Sequence, residues 1–375
     1  MAPSALYAAV VVATASYAAA QQTLQFPATP LNALSFPKPT DAPYQVYPAS
    51  VPYVRGPQTG YNICNSTTEG PTSDCQTMYF NGLDDFCLWG PPNPNTTIGD
   101  SEGEVVAHCS KKGHGTRILN NGLFKSAQIL KTDQYWMITG TIDQTLINIA
   151  DGDPGGELDS GGQDARGNPI GGLVYSNAFS TDGSPSQIQW WTEFIGSNQF
   201  CLKICKPGGN VSGYCQHTLD RIGLAYNCPS KYTIGGGAPD GVFETCDSDL
   251  MGVPGVYVQN GQTLSYQQPA ETVPIGDLPY QPTLVASRNC VTTASTALFT
   301  DLNAAPTSSP ASTSSGASAS PTGSSSGASS GSPSKTSSGS PSQTGASQSG
   351  SDAAATRVSV FATIFGVFAA VAFLA

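Results

Sequence analysis

Ten cysteines, all between residues 64 and 290 of a 375-residue chain, constrain the fold more than any other feature. They are Cys64, Cys75, Cys87, Cys109, Cys201, Cys205, Cys215, Cys228, Cys246 and Cys290. The number is even, and no two stand in the C-x-x-C spacing of a metal–thiolate site. The reading is therefore a set of disulfides with no free thiol, which requires an oxidising compartment. The first twenty residues supply one. MAPSALYAAVVVATASYAAA has no charged side chain and ends in the small residues Ala18-Ala19-Ala20. This is the pattern of a secretory signal peptide cleaved after Ala20, although the basic start is missing. Three N-x-Ser/Thr sequons, at Asn65, Asn95 and Asn210, agree and predict N-glycosylation.

One pairing can be ruled out by geometry. FCLKIC (200–205) alternates like a strand, with Cys201, Lys203 and Cys205 on one side and Phe200, Leu202 and Ile204 on the other. Four residues of strand span about 13 Å, and a disulfide tolerates Cα separations of up to about 7 Å. Cys201 and Cys205 therefore need two different partners, sought among Cys215, Cys228 and Cys246.

Composition divides the rest of the chain. Residues 21–60 are a proline-rich, patternless arm, expected to be extended. Residues 61–300 hold every cysteine, sequon, tryptophan and histidine, and are long enough for one large domain. Residues 301–350 are the stalk. From 305 onward they are almost entirely Ser, Gly, Ala, Pro and Thr with the single charge Lys335, a composition that cannot offset its ordering entropy. Residues 351–375 end in an apolar tail with no basic residue after it. Small residues, a short spacer and a terminal apolar run make a GPI-attachment signal that is removed on maturation, with Gly350 as the attachment residue. A permanent membrane helix would normally carry Lys or Arg beyond it.

Within 61–300 the apolar pattern has period two, in QYWMITGTI (134–142) and FCLKIC among others, and no long stretch has helical spacing. The fold class predicted is all-β: a single disulfide-bonded β-sandwich-like domain followed by a disordered stalk. In 186–194, Ile188, Trp190 and Phe194 share one face, and Gln187, Gln189, Trp191 and Glu193 share the other. The second face looks solvated, which makes Trp191 the aromatic that would stack on a sugar ring.

The formal charge is −11 and no basic cluster exists, so nucleic-acid binding is excluded. The stretch DGDPGGELDSGGQDARGNPIGG (151–172) concentrates Asp151, Asp153, Glu157 and Asp159. An EF-hand is excluded because its fifth and twelfth positions are Gly155 and Gly162. As an irregular calcium loop it would use those four acids. The preferred reading is a solvated connection between strands with no cofactor. For glycoside hydrolysis, Asp84, Asp85, Glu104 and Glu157 are available, but no motif singles out a pair. His114, flanked by glycines, reads as a turn, and no G-x-S-x-G nucleophile context exists. No catalytic residue is assigned.

The segments Asp85-Phe86-Cys87-Leu88-Trp89-Gly90-Pro91-Pro92, Gly113-His114-Gly115-Thr116-Arg117, GGELD (155–159) and GNPIGGLVYS (167–176) occur in a recurring order. Over roughly residues 61–295 the chain resembles the fungal macrofage-activating-glycoprotein family of secreted, GPI-anchored proteins. That resemblance implies a cell-surface or wall glycoprotein and carries no reaction with it. The expectation is a non-enzymatic structural or adhesive surface protein with glycans or wall polymers as partners. The alternative is a surface-tethered, glycan-active enzyme.

Overall fold

The computed structural model describes residues 26–49, 53–234 and 240–303. The expected signal peptide (1–20), most of the expected 301–350 stalk, Gly350 and the 351–375 segment lie outside the described residues. Among the described residues the regular structure is predominantly strand. The first nine strands are β1 (Thr77–Gly82), β2 (Asp85–Gly90), β3 (Val106–Cys109), β4 (Arg117–Ile118), β5 (Phe124–Lys131), β6 (Tyr135–Ile142), β7 (Gly156–Asp159), β8 (Leu173–Ser176) and β9 (Ser186–Ile188). Then come β10 (Trp191–Gly196), β11 (Gln199–Cys205), β12 (Phe243–Ser248), β13 (Val256–Gln259), β14 (Gln262–Ser265) and β15 (Ser287–Thr292). No described helix exceeds four residues, and none is long and apolar enough to cross a membrane.

Two sheets form. One has the order β4-β3-β2-β1-β8-β9 and the other β15-β12-β5-β6-β11-β10-β7, with β13-β14 a separate hairpin. The sheets pack face to face. Met78, Phe80, Phe86 and Leu88 of the first meet Ile129, Ile138, Phe200, Leu202 and Ile204 of the second in one buried cluster. This is the disulfide-bonded all-β sandwich that period-two patterning implies.

The larger sheet is also covered on its outer face. A second cluster holds Tyr135, Met137, Phe194, Cys201 and Cys205 against Tyr214, Cys215, Cys228 and Met251. Cys205 is bonded to Cys215 and Cys201 to Cys228, the two separate partners that the strand spacing demands. The other bridges are Cys64–Cys75, Cys87–Cys109 and Cys246–Cys290, and no cysteine is free. The proline-rich arm is likewise not loose. Leu31, Ala42 and Tyr47 are buried with Ile170, Leu173 and Tyr175, and Gln187 and Gln189 bond its backbone at Phe36 and Leu34. The globular body thus begins well before residue 61.

Trp191 corrects a sequence expectation. It is 1% exposed and packs in the inter-sheet core, with its ring 5.7 Å from that of Trp89. The sequence grouped Trp191 with Glu193 correctly, but their shared face is the inner one. All six residues of β10 are buried, so the polar residues could not mark a solvated side. Glu193, 0% exposed, accepts the Trp89 backbone N–H at 3.1 Å across the sandwich, and burial pushes its carboxyl well above the ordinary range. A sugar-stacking role for Trp191 is not compatible with this position.

Two outcomes follow from this packing. Trp191→Ala should lower unfolding stability by about 3–5 kcal/mol in urea titration, as for a buried large aromatic; a solvent-facing tryptophan would change it by about 0.5 kcal/mol or less. Replacing Cys201 and Cys228 together by serine opens a loop of sequence separation 27. It should cost about 3–4 kcal/mol by the loop-entropy estimate, read from the same titration.

Candidate functional site

The stretch 151–172 does not form the solvated connection expected of it. It enters the larger sheet as edge strand β7, antiparallel to β10, with Glu157 opposite Phe194 and Asp159 opposite Thr192. Pairing of Thr192 with Lys203 extends the row onto β11. Directly paired residues share a face, so Glu157, Asp159, Thr192, Phe194, Cys201 and Lys203 all point outward from the sandwich. There they are buried by the segment that the two disulfides tether.

This second layer covers polar groups, and they are only partly satisfied. Asp159 accepts the backbone N–H of Gly161 at 2.6 Å and of Gly162 at 2.7 Å, and His217 Nδ1 lies 3.3 Å away. Burial raises its carboxyl above the ordinary value, against the pull of His217 and the two amides. Lys203 donates to the Asn227 carbonyl at 2.6 Å. Burial brings its ammonium down to about 7, with Glu157 opposing that shift. Glu157 is 7% exposed, and neither of its carboxylate oxygens has a hydrogen-bond partner. The Thr192 and Ser160 hydroxyls are also buried without one. Burial drives the Glu157 carboxyl well above the ordinary range; Asp159, Asp220 and Glu102 add to the shift, and Lys203 opposes it. Buried carboxylates normally find partners, so Glu157 stands out chemically.

Glu157 lines a cleft of about 380 Å³ between the end of β7–β10 and the segment 220–224. Its walls include Gly155, Gly156, Gly196 and Ser197, the apolar residues Phe194, Ile195 and Leu224, and the charged Asp220 and Arg221. Two glycines make this wall thin. At Gly155 (φ +85°) a Cβ would fall 1.9 Å from the Ile195 carbonyl oxygen, and at Gly196 (φ +147°) one would fall 2.2 Å from the Gly155 Cα. No larger residue fits where these backbones cross.

The acids singled out in the sequence are dispersed. Asp151 is exposed. Asp153 accepts from the Ile98 N–H at 2.8 Å and the Gly155 N–H at 3.2 Å. Asp159 holds its own turn, and Glu157 borders the cleft with its carboxyl oxygens buried. Among the described residues, three potential ligand atoms converge only at Glu244, Cys246 and Cys290, where the two sulfurs are bonded to each other. Of the carboxyls considered for hydrolysis, Asp85 is engaged by His114 Nε2 at 2.6 Å, with Tyr79 stacked on the imidazole at 4.1 Å. Burial raises Asp85, but the bonds from His114 and Asn81 outweigh it and leave the carboxyl below its ordinary value. The sequons' Asn65, Asn95 and Asn210 are all exposed.

Sequence reasoning missed Lys203, His217 and Asp220. Lys203 left a signal: it lies between two cysteines on one strand face, and those cysteines must meet a covering layer. His217 and Asp220 left none, because they come from an irregular segment.

Glu102 makes the electrostatics measurable. Burial pushes its carboxyl up to about 7, aided by Asp159, Asp220 and Glu271 and resisted by Arg55. A folded-state value raised above the unfolded one gives stability that is present at low pH and lost as pH climbs towards about 7. Glu157, Glu193 and Asp159 act in the same direction and together outweigh His108, which burial brings down to about 3 and which opposes them. The urea midpoint should therefore fall between pH 5 and pH 7.5, and Glu102→Gln should flatten that slope. A midpoint that rises over this range contradicts the assignment.

No protein-family model matches the chain, and no solved structure matches it. Among curated proteins it is 42% identical over 214 residues to appressorium protein ROW1 of Mycosarcoma maydis, covering 57% of this chain and 48% of that protein. It is 40% identical over 207 residues to appressorium protein ROW2 of the same fungus, covering 54% of this chain and 69% of that protein. The chain thus spans about half the length of the first relative and over two thirds of the second.

Proposed function

The chain belongs to the family of the fungal appressorium proteins ROW1 and ROW2, and from that premise we propose that it is a non-enzymatic glycoprotein of the fungal cell surface with a structural or adhesive role. Kinship with proteins named for the appressorium is the observation that carries this reading. Support comes from five disulfides, which suit an extracellular life, and from three exposed sequon asparagines. The amino-terminal signal peptide and the GPI signal add the route and the anchor. The stalk would hold the β domain away from the membrane, towards glycans or wall polymers. The order of motifs from Asp85–Pro92 to 167–176 is the basis for proposing the macrofage-activating-glycoprotein label for the same protein.

A second reading rests on one observation: Glu157 and Asp159 are two carboxyls on one strand face, one of them bordering a cleft. A glycan-active enzyme would place such a pair on either side of the bond it cuts. Release of reducing ends from wall polysaccharide, abolished by Glu157→Gln, would favour the enzyme; none is expected.

The surface reading is tested on intact cells. Phosphatidylinositol-specific phospholipase C should release the protein from membranes, and the released chain should lack residues 351–375. Mass-spectrometric detection of that intact carboxy-terminal peptide on the mature protein would refute lipid anchoring.

A further inference from the structure

We propose that the peptide bond between Asp153 and Pro154 is a self-cleavage site, where the Asp153 side chain cuts its own backbone in mild acid and leaves a domain of two chains held by packing alone. The inference is independent of where the protein resides and of any ligand. An aspartyl carboxyl can close a five-membered ring on its own carbonyl carbon, as a carboxyl nucleophile. The tertiary proline nitrogen on the other side of that carbon is a leaving group that accepts a proton. What the fold adds at this bond is a pair of donors on the carbonyl and a fixed nucleophile.

The Asp153 carbonyl oxygen accepts the Ser197 backbone N–H at 2.9 Å and Gln144 Nε2 at 3.2 Å. Two donors on one oxygen stabilise the oxyanion that forms when its carbon is attacked. Both donors are held in place. Ser197 (φ +50°) and Asn198 (φ +59°) form the left-handed turn between β10 and β11, and the close crossing of Gly155 with Gly196 sets that turn against residues 153–155. Gln144 is 0% exposed, accepts the Asn198 N–H at 2.7 Å and donates to the Ala150 carbonyl at 2.6 Å. The carboxyl is pinned as well. Its Oδ1 accepts the N–H of Gly155, the residue beyond the proline, at 3.2 Å, and its Oδ2 accepts that of Ile98 at 2.8 Å. The side chain therefore stays beside the bond it attacks. Asp153 is buried and Pro154 exposed, so water reaches the leaving side. The charged groups around the carboxyl are the exposed Asp151 and the acids Asp100 and Glu102 that follow Ile98; the stretches 144–150 and 194–199 carry none.

In the step itself an oxygen of the protonated Asp153 carboxyl bonds to the Asp153 carbonyl carbon. The bond from that carbon to the Pro154 nitrogen breaks, its electron pair goes to nitrogen, and the carboxyl's proton follows. The products are a cyclic anhydride at Asp153 and a new chain beginning at Pro154. One water then opens the anhydride to a carboxy-terminal aspartic acid. Because the protonated carboxyl is consumed, the cut speeds up as the medium is acidified. No disulfide joins the two sides: Cys64–Cys75 and Cys87–Cys109 precede the bond, and the other three follow it. Strands of the two sides nevertheless pair in both sheets, β1 with β8, β6 with β11 and β5 with β12, so the cut domain stays folded.

The test holds the full-length secreted protein with protease inhibitors at about pH 4.5 for a day and runs it on a denaturing gel without reductant. Two chains should appear, the second starting at Pro154 by amino-terminal sequencing, while the native protein still elutes as one species. The rate should exceed, by at least about tenfold, that of the same protein reduced and unfolded in urea at the same pH, since unfolding removes both donors. Pro154→Ala, at an exposed position that keeps the Asp153 carboxyl, should remain one chain, and so should Asp153→Asn. An uncut native protein overturns the proposal. So does a cut at another bond, an equal rate in the unfolded protein, or cleavage that persists in either variant.

Discussion

Strand β11 is buried on both faces, and the disulfides leaving Cys201 and Cys205 are what make the second burial permanent. Phe200, Leu202 and Ile204 point into the sandwich, while Cys201 and Cys205 point outward into Cys228 and Cys215. A sandwich of two sheets would normally leave its outer faces to water. Here two covalent links, four residues apart on one strand, hold an irregular segment over that face. The segment's helical pieces, Val211–Tyr214 and Leu224–Asn227, are four residues each, too short to be stable by themselves. The cross-links supply what local propensity does not.

That added layer changes the chemistry of the residues beneath it. Lys203, Asp159 and Glu157 would be ordinary surface groups on an uncovered sheet. Covered, they lose hydration, and their protonation shifts towards the neutral forms. Asp159 recovers hydrogen bonds from the turn that follows it, and Lys203 recovers one from the roof. Glu157 recovers none, and both of its carboxyl oxygens stay sealed from solvent.

Glu193 shows the same economy inside the sandwich. Its carboxyl is buried among apolar groups, and its hydrogen bond reaches the backbone of the opposite sheet at Trp89. An isolated ionised carboxylate there would be very costly, so the neutral form is the one this packing favours. The group then links the two sheets without a buried charge.

Much of this was readable in the sequence. Period-two alternation marked strands, grouped Trp191 with Glu193 and Cys201 with Lys203 and Cys205, and excluded a Cys201–Cys205 bridge. The even set of cysteines fitted an all-β, disulfide-bonded domain. Which face of each strand is inside was not readable. Alternation reports only that residues share a side; what covers that side is set by other parts of the chain. Trp191 was assigned to water because its neighbours are polar, yet those neighbours are buried too. The 151–172 stretch looked like a loop because its glycines and acids resemble a turn, while in the fold it pairs with β10 and satisfies Asp153 and Asp159 on backbone amides. The cleft brings Glu157 together with Asp220, sixty-three positions further along, through a segment with no periodicity. Sequence by itself determined strands, shared faces and the covalent chemistry available. Tertiary structure alone decided which cysteines meet, which faces are dry and where a carboxyl is left unpaired, because burial belongs to the whole packed chain and not to any stretch of it.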